Sequence, residues 1–294
     1  MRVLITGWAS FWHGEATAGD VLSMRRVQSS LTEAGIDNEL AWSPGYLPGE
    51  RSLDDADPDR YSHLVFACGP AHGQQVVELH RRYADCRRIA VGVSVIDPDD
   101  PAVTGFHRVL ARDDGVRTRP DLSLAEQTES RPVTGVIMAP GQPEYGARGA
   151  HRKVHDELAR WLTCLDCARL PLDTRLDTGN WRHCSTPDQF TSVLARLDAV
   201  VSTRLHGLVL GLRAGVPVLA VDPIRGGGKL TAQVGALDWP ALVPADEAGP
   251  GAFDQWWDWC LSPPGRARAA ALAAIPQQPL LTELLGELCP GGRA

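Results

Sequence analysis

Arg204 and His206 stand in the run Asp198-Ala-Val-Val-Ser-Thr-Arg-Leu-His-Gly-Leu, and Lys229 follows the glycines Gly226-Gly-Gly. An Arg presents a planar fork that can hold a phosphate or carboxylate through two bonds. A Lys adds a point charge, and a His can donate a proton near neutral pH. Together they predict an anion site with an acid beside it. The flanking residues say how the site is built. Ala199–Ser202 is short, apolar and β-branched, as a buried parallel strand requires. Thr203 suits a helix N-cap, and Leu205, Leu208, Val209 and Leu212 follow at helical spacing. Gly215 and Pro217 end that helix, and Val218–Val221 is the next strand. The turn Thr203–Gly207, with Leu205 inside it, therefore lies at a helix N-terminus outside the carboxyl end of a strand. Backbone N–H groups and the helix dipole favour anions there. The plainer reading is an ordinary βαβ unit with a surface Arg and a capping His.

Gly226–Lys229 is not a nucleotide-binding P-loop, because Leu230 replaces the required Ser or Thr. It reads either as a plain flexible loop after a strand or as a loop whose Lys229 and backbone N–H groups close over an anion on Arg204. The loop Trp8–Asp20 combines His13, Glu15 and Asp20 with Trp8, Phe11 and Trp12. Rings stack on the apolar face of a sugar and acids bind its hydroxyls, although Asp20 could equally cap the next helix. Arg112-Asp113 reads as a local ion pair or a ligand contact. Cys164-Leu-Asp-Cys167, with His183-Cys184, has loose zinc-like spacing but lacks a second clean pair, so no metal is expected.

Strands are predicted at residues 2–6, Glu39–Trp42, His63–Ala67, Arg88–Ser94 and Val109–Ala111, with helices near Asp20–Ala34 and Gln74–Ala84. Leu122–Pro132 is polar and aperiodic and reads as a linker. Beyond it come strand Val133–Met138, helix Ala150–Leu162, strand Ala168–Leu172 and helix Pro187–Arg196. This alternation predicts two doubly wound α/β domains facing a cleft. Their expected bounds are 1–128 and 129–250, with a helical tail at 251–294 that Trp256, Trp257 and Trp259 pack down.

The chain of 294 residues is 44% hydrophobic and 22% charged, enough for one large or two medium cores. A net charge of −7 without a basic run makes nucleic acid an unsuitable partner. No stretch reads as a membrane span. The chain starts directly on a strand and carries seven cysteines, an odd number, so a cytoplasmic, reduced setting is expected. Only Lys153 and Lys229 are Lys.

The block Ser202-Thr-Arg-Leu-His-Gly207, the helix, Gly215-Val-Pro-Val-Leu-Ala-Val-Asp222 and then Lys229 resemble the polysaccharide pyruvyl transferase family. Weaker echoes are Gly19-Asp20, Leu64–Gly69, Ala90–Ser94, Arg112-Asp113, Arg119-Pro-Asp121 and Gly235–Trp239. The resemblance implies a two-domain, GT-B-like architecture of Rossmann-like domains. It implies transfer of a pyruvyl ketal from phosphoenolpyruvate, a co-substrate, to a sugar or glycan, with no cofactor or metal. His206 would be the acid and Asp20 the base. Thr203, Arg204, Leu205, Gly207, Lys229, Gly19, Arg112 and His13 would bind substrate. Two places depart from the pattern. Cys68-Gly-Pro stands where a glycine-rich stretch is expected. Ala139-Pro-Gly-Gln-Pro stands where a basic residue is, the nearest candidates being Arg148 and Arg152. A nucleotide-sugar glycosyltransferase and a non-catalytic glycan- or anion-binding relative remain the alternatives.

Overall fold

The computed structural model describes residues 1–13, 16–274 and 279–288. Glu15 and the last residues of the expected tail lie outside them. The chain forms two compact units, Met1–Glu129 and Ser130–Ala294.

The first unit is built on β1 (Arg2–Thr6), α1 (Ala18–Glu33), β2 (Asp37–Leu40), β3 (His63–Ala67), α2 (Gln74–Arg82), β4 (Arg87–Val91), α3 (Pro101–Thr104) and β5 (Arg108–Leu110). Its strands are all parallel, in the order β2-β1-β3-β4-β5. Side chains alternate between the sheet faces, and the sequence alternates with them. Val3, Ile5, Val65 and Ala67 pack with Val21 and Met24 of α1. Leu4, Leu64 and Phe66 point the other way and pack with Val76 and Leu79 of α2. β2, Asp37–Leu40, starts earlier than the expected Glu39–Trp42: its pairing with β1 begins at Asp37, the Ala41 N–H gives a last bond to the Ile5 carbonyl (3.0 Å), and the Trp42 N–H turns to the Arg51 carbonyl (2.8 Å).

The second unit comprises β6 (Val133–Ile137), α4 (His151–Cys164), β7 (Ala168–Leu172), α5 (Pro187–Leu194), β8 (Ala199–Ser202), α6 (Leu205–Arg213), β9 (Val218–Asp222), α7 (Lys229–Ala236) and β10 (Leu242–Pro244). Then come α8 (Pro250–Leu261), α9 (Pro263–Ala273) and α10 (Pro279–Leu288). The sheet order is β10-β9-β8-β6-β7, again all parallel. Counted from its own first strand this is the order of the first unit, 2-1-3-4-5, with a switch point between the first and third strands. Both units are thus doubly wound and Rossmann-like. β8 and β9 are buried along their whole length, which explains their uninterrupted apolar sequence.

Helices α8 and α9 belong to the second core. Phe253, Trp257, Cys260 and Ala269 are buried in it, with Trp257 against Trp161 (ring centroids 6.0 Å) and Trp259 against Trp239 (5.1 Å). Among the described residues no helix is long and apolar enough to cross a membrane.

Candidate functional site

The chain leaves β6 and β8 on either side of the second unit's switch point. A pocket of about 420 Å³ opens there, lined by Ala139 and Pro140 after β6 and by Thr203, Arg204, Leu205 and His206 after β8. Lys229 and Asp222 also belong to the wall, with Gln142 and Pro223 among its other residues. The sequence-predicted residues Thr203, Arg204, Leu205, His206 and Lys229 are therefore brought to one cavity, and Gly207 lies directly beneath them. A Cβ on Gly207 would sit 2.2 Å from Ser202 Oγ, so only glycine lets α6 start this close to the end of β8.

Thr203 is not the helix cap. Arg204 holds the cap position, in an extended conformation and without a side-chain bond to the helix. Thr203 turns inward instead, and its hydroxyl oxygen accepts the Ala139 N–H (2.7 Å) and lies 3.2 Å from His155 Nε2. This ties the strand ends β6 and β8 together and lets α4 brace both. Ser202, fully buried, clasps the backbone of Arg204: its hydroxyl accepts the Arg204 N–H (3.0 Å) and donates to the Arg204 carbonyl (2.9 Å). The backbone at the head of α6 is thus set before any ligand arrives, and its first N–H groups have no intrahelical partner.

The Arg204 side chain is aimed by Asp173, just past β7, at 2.7 Å. Among the described residues that is the guanidinium's one partner, and His206 and Lys229, both exposed, have no hydrogen bond or ion pair. Lys229 does not sit in a loose loop, as the glycine run suggested. It is the first residue of α7. Asp222, 1% exposed, organises that start. Its carboxylate accepts the N–H groups of Ile224, Gly228 and Thr231 and the Thr231 hydroxyl. Gly226 (φ 70°) and Gly227 (φ 84°) supply the left-handed turn between them. Arg148 holds the same turn from outside by donating to the carbonyls of Arg225 and Gly227, so it positions the loop, while Arg152 is exposed.

Below the pocket, His151 and His155 face one another one turn apart on α4 (ring centroids 6.0 Å). Burial lowers both rings from the ordinary histidine value. Asp222 and Glu144 oppose that at His151, where Lys229 adds to it; at His155 the neighbouring His151 adds to it. The i, i+4 spacing of these histidines was visible in the sequence. Their proximity to Thr203 and Asp222 was not.

The other predicted residues belong to the first unit. Asp20 takes the third position of α1 in a capping arrangement with Thr17. The Asp20 N–H donates to Thr17 Oγ1 (3.2 Å), and the Thr17 hydroxyl donates to Asp20 Oδ2 (2.7 Å). Gly19 is the residue before it in the same turn. Arg112 is held from three sides, by Asp113 (2.9 Å), Asp121 (2.6 Å) and the Ser94 hydroxyl (2.6 Å). That network joins the loops after β4 and β5 and accounts for Arg112 without a ligand. Burial raises the Asp121 carboxyl, but hydrogen bonds from Ser123 and Arg112 outweigh it and hold the group at about 2. His13 lines a separate pocket. Cys68 takes the glycine-like φ of 66°, and burial pushes its thiol up, the opposite of what a nucleophile needs. Among the described residues no three metal-ligating side chains cluster, and Cys164, Cys167 and Cys184 are free.

Residues 176–223 match the polysaccharide pyruvyl transferase family. That segment carries β8, the Arg204–Gly207 turn, α6 and β9 and stops short of Lys229. It supports a transferase of polysaccharide modification. No curated protein matches the chain in sequence. Among solved structures it is similar to MurG of Acinetobacter baumannii (11% identity, 99% of each chain covered, TM-score 0.37). It is also similar to the glycosyltransferase SnogD of Streptomyces nogalater (12%, 98% of this chain and 99% of that one, TM-score 0.32). A third is the E. coli heptosyltransferase WaaC with ADP (15%, 92% and 100%, TM-score 0.29).

Proposed function

We propose that the protein is a ketal pyruvyltransferase that takes its donor, phosphoenolpyruvate, in the pocket over β6 and β8. The observation that carries this reading is the convergence of Arg204, His206, Lys229 and the head of α6 on one cavity, three of those four within the segment that matches the family. The donor has a phosphate and a carboxylate. Arg204 offers a fork to one of them, Lys229 a point charge, and α6 its N–H groups.

In this reading His206 gives a proton to the donor methylene, which becomes a methyl group and leaves C2 electron-poor. A sugar hydroxyl then attacks C2, the C2–O bond to phosphate breaks, and phosphate departs carrying that hydroxyl's proton. A second hydroxyl of the same sugar closes the ring as a ketal and returns its proton to His206. Asp173 keeps Arg204 aimed at the pocket and shares it with the arriving anion.

Phosphate release from phosphoenolpyruvate, measured with a panel of sugars and short glycans, tests the reaction. Release that depends on an acceptor supports it. Donor binding is tested by heating: stabilisation by phosphoenolpyruvate is expected, whereas stabilisation by a nucleoside diphosphate alone would move the assignment to nucleotide-sugar transfer.

A further inference from the structure

The first unit holds a pocket of its own, about 430 Å³, that the proposed donor chemistry does not use. One wall is a stripe of α2: Gln75, Glu78, Leu79 and Arg82 fall at i, i+3, i+4 and i+7, so they share a helix face. Leu79 is buried in the core and sets the direction of that face. The opposite wall comes from the loop after β1. Phe11 is buried there, edge-on to Trp8 at 5.6 Å, and the next residue, Trp12, leaves 64% of its surface in solvent at the pocket's edge. The segment after β2 closes the third side. Arg82 fastens it by donating to the Asp54 carboxylate (3.1 Å) and to the backbone carbonyls of Asp54 and Ala56.

The charge of this lining differs in kind from that of the donor pocket. Among the described lining residues Asp54 and Arg82 offset one another, and beside His13 this leaves Glu78 as the unbalanced carboxylate, accepting there only the Gln74 amide (3.2 Å). A cavity of that sign repels a phosphate or carboxylate. It suits a neutral ligand rich in hydroxyl donors, because a carboxylate accepts several hydrogen bonds and an Asp–Arg pair can accept from one hydroxyl and donate to its neighbour. The exposed indole asks for a flat apolar face. A pyranose has both, a face of C–H groups and a rim of hydroxyls.

We infer that this pocket binds a sugar: a pyranose ring lies on Trp12 and turns its hydroxyls to Glu78, Gln75 and the Asp54–Arg82 pair. That the bound ring is the acceptor rests on the proposed transfer; that the pocket binds sugar does not.

Saturation-transfer NMR on the full chain tests it, with the methyl pyranosides of glucose, galactose, mannose and N-acetylglucosamine as probes and phosphoenolpyruvate as a parallel ligand. At least one pyranoside should receive saturation. Trp12→Ala should weaken its binding at least ten-fold and Glu78→Gln at least three-fold, with phosphoenolpyruvate binding unchanged in both. Absence of transfer to every pyranoside, or equal transfer to the Trp12→Ala protein, would overturn the inference. Both side chains are on the surface, and if Trp12→Ala melts below the wild type, Glu78→Gln alone decides. Sugar binding without phosphoenolpyruvate binding would sink the proposed donor and leave this site standing; the reverse would sink this site and leave the donor.

Discussion

In the second unit, β6 and β8 part over a pocket edged by Arg204, His206 and Lys229. In the first unit the corresponding place follows β1 and β3, and Trp8 occupies it, its indole N–H donating to the Pro70 carbonyl (3.1 Å). Its pocket lies to one side, against α2. The two sheets have the same strand order, so topology offers a crevice twice. Side chains decide what becomes of it. Small residues after β6, Ala139 and Pro140, leave room, and Arg204, His206 and Lys229 line it. A large ring after β1 fills the room, and the cavity that remains is aromatic and slightly acidic. Two similar frameworks thus carry pockets of similar volume and different lining.

The sharpest way to break this contrast is His206→Gln, which keeps a polar side chain but cannot supply a proton at neutral pH. Turnover should fall by about 10²–10⁴, the usual share of general acid catalysis, while calorimetric donor affinity stays within a few-fold. If only affinity falls, His206 is a binding residue. Next comes Gly207→Ala. Its Cβ would meet Ser202 Oγ at 2.2 Å, so the head of α6 must shift. Urea denaturation should show a loss of about 1–3 kcal/mol, as for overpacked cores. Donor binding should weaken with it, whereas sugar binding in the first unit should not.

Arg204→Lys should cost roughly 1–3 kcal/mol of donor binding by calorimetry, because a point charge replaces a fork already aimed by Asp173. An unchanged affinity would make Arg204 a structural partner of Asp173 alone. The smallest effect expected is a pH dependence. Burial lowers His151 and His155 in the folded chain, so the unfolded chain takes up protons first as the pH falls. The stabilisation from keeping these rings neutral is complete above the ordinary histidine value of about 6.5 and is lost as the pH drops below it. The melting temperature should therefore decline from pH 7.5 to 5.5, by about 2–4 °C for each kcal/mol lost. His151→Phe should flatten that decline. An equal slope in the variant would place the protonation elsewhere, with His80 of the first unit, also lowered by burial, the first candidate.

Much of the framework was legible. β1, β3 and β8 lie where runs of apolar residues placed them, since a strand buried on both faces has little freedom in composition, and β7, an exposed edge strand, also falls at its expected Ala168–Leu172. The Arg204–His206 turn was legible for the same reason: a strand that stops at Ser202 and a helix that starts at once leave few places for the side chains between. β10 was missed, because three residues, Leu242–Pro244, are too short to show a period. The start of α7 at Lys229 was missed because its cap is Asp222, which lies seven residues back and reaches forward only once the chain has turned through Gly226 and Gly227. A cap that distant carries no local signal.

What the sequence determined by itself is therefore the alternation of strands and helices in both halves and the cationic turn after β8, because each depends on residues adjacent in the chain. Which way Thr203 points, what aims Arg204, what holds Lys229 at a helix head and what fills the first switch point were decided by the tertiary structure. Those depend on Ala139, His155, Asp173, Asp222 and Pro70, residues that reach the site only when separate strands are brought side by side, and hydrogen bonds between them exist in no shorter piece of the chain.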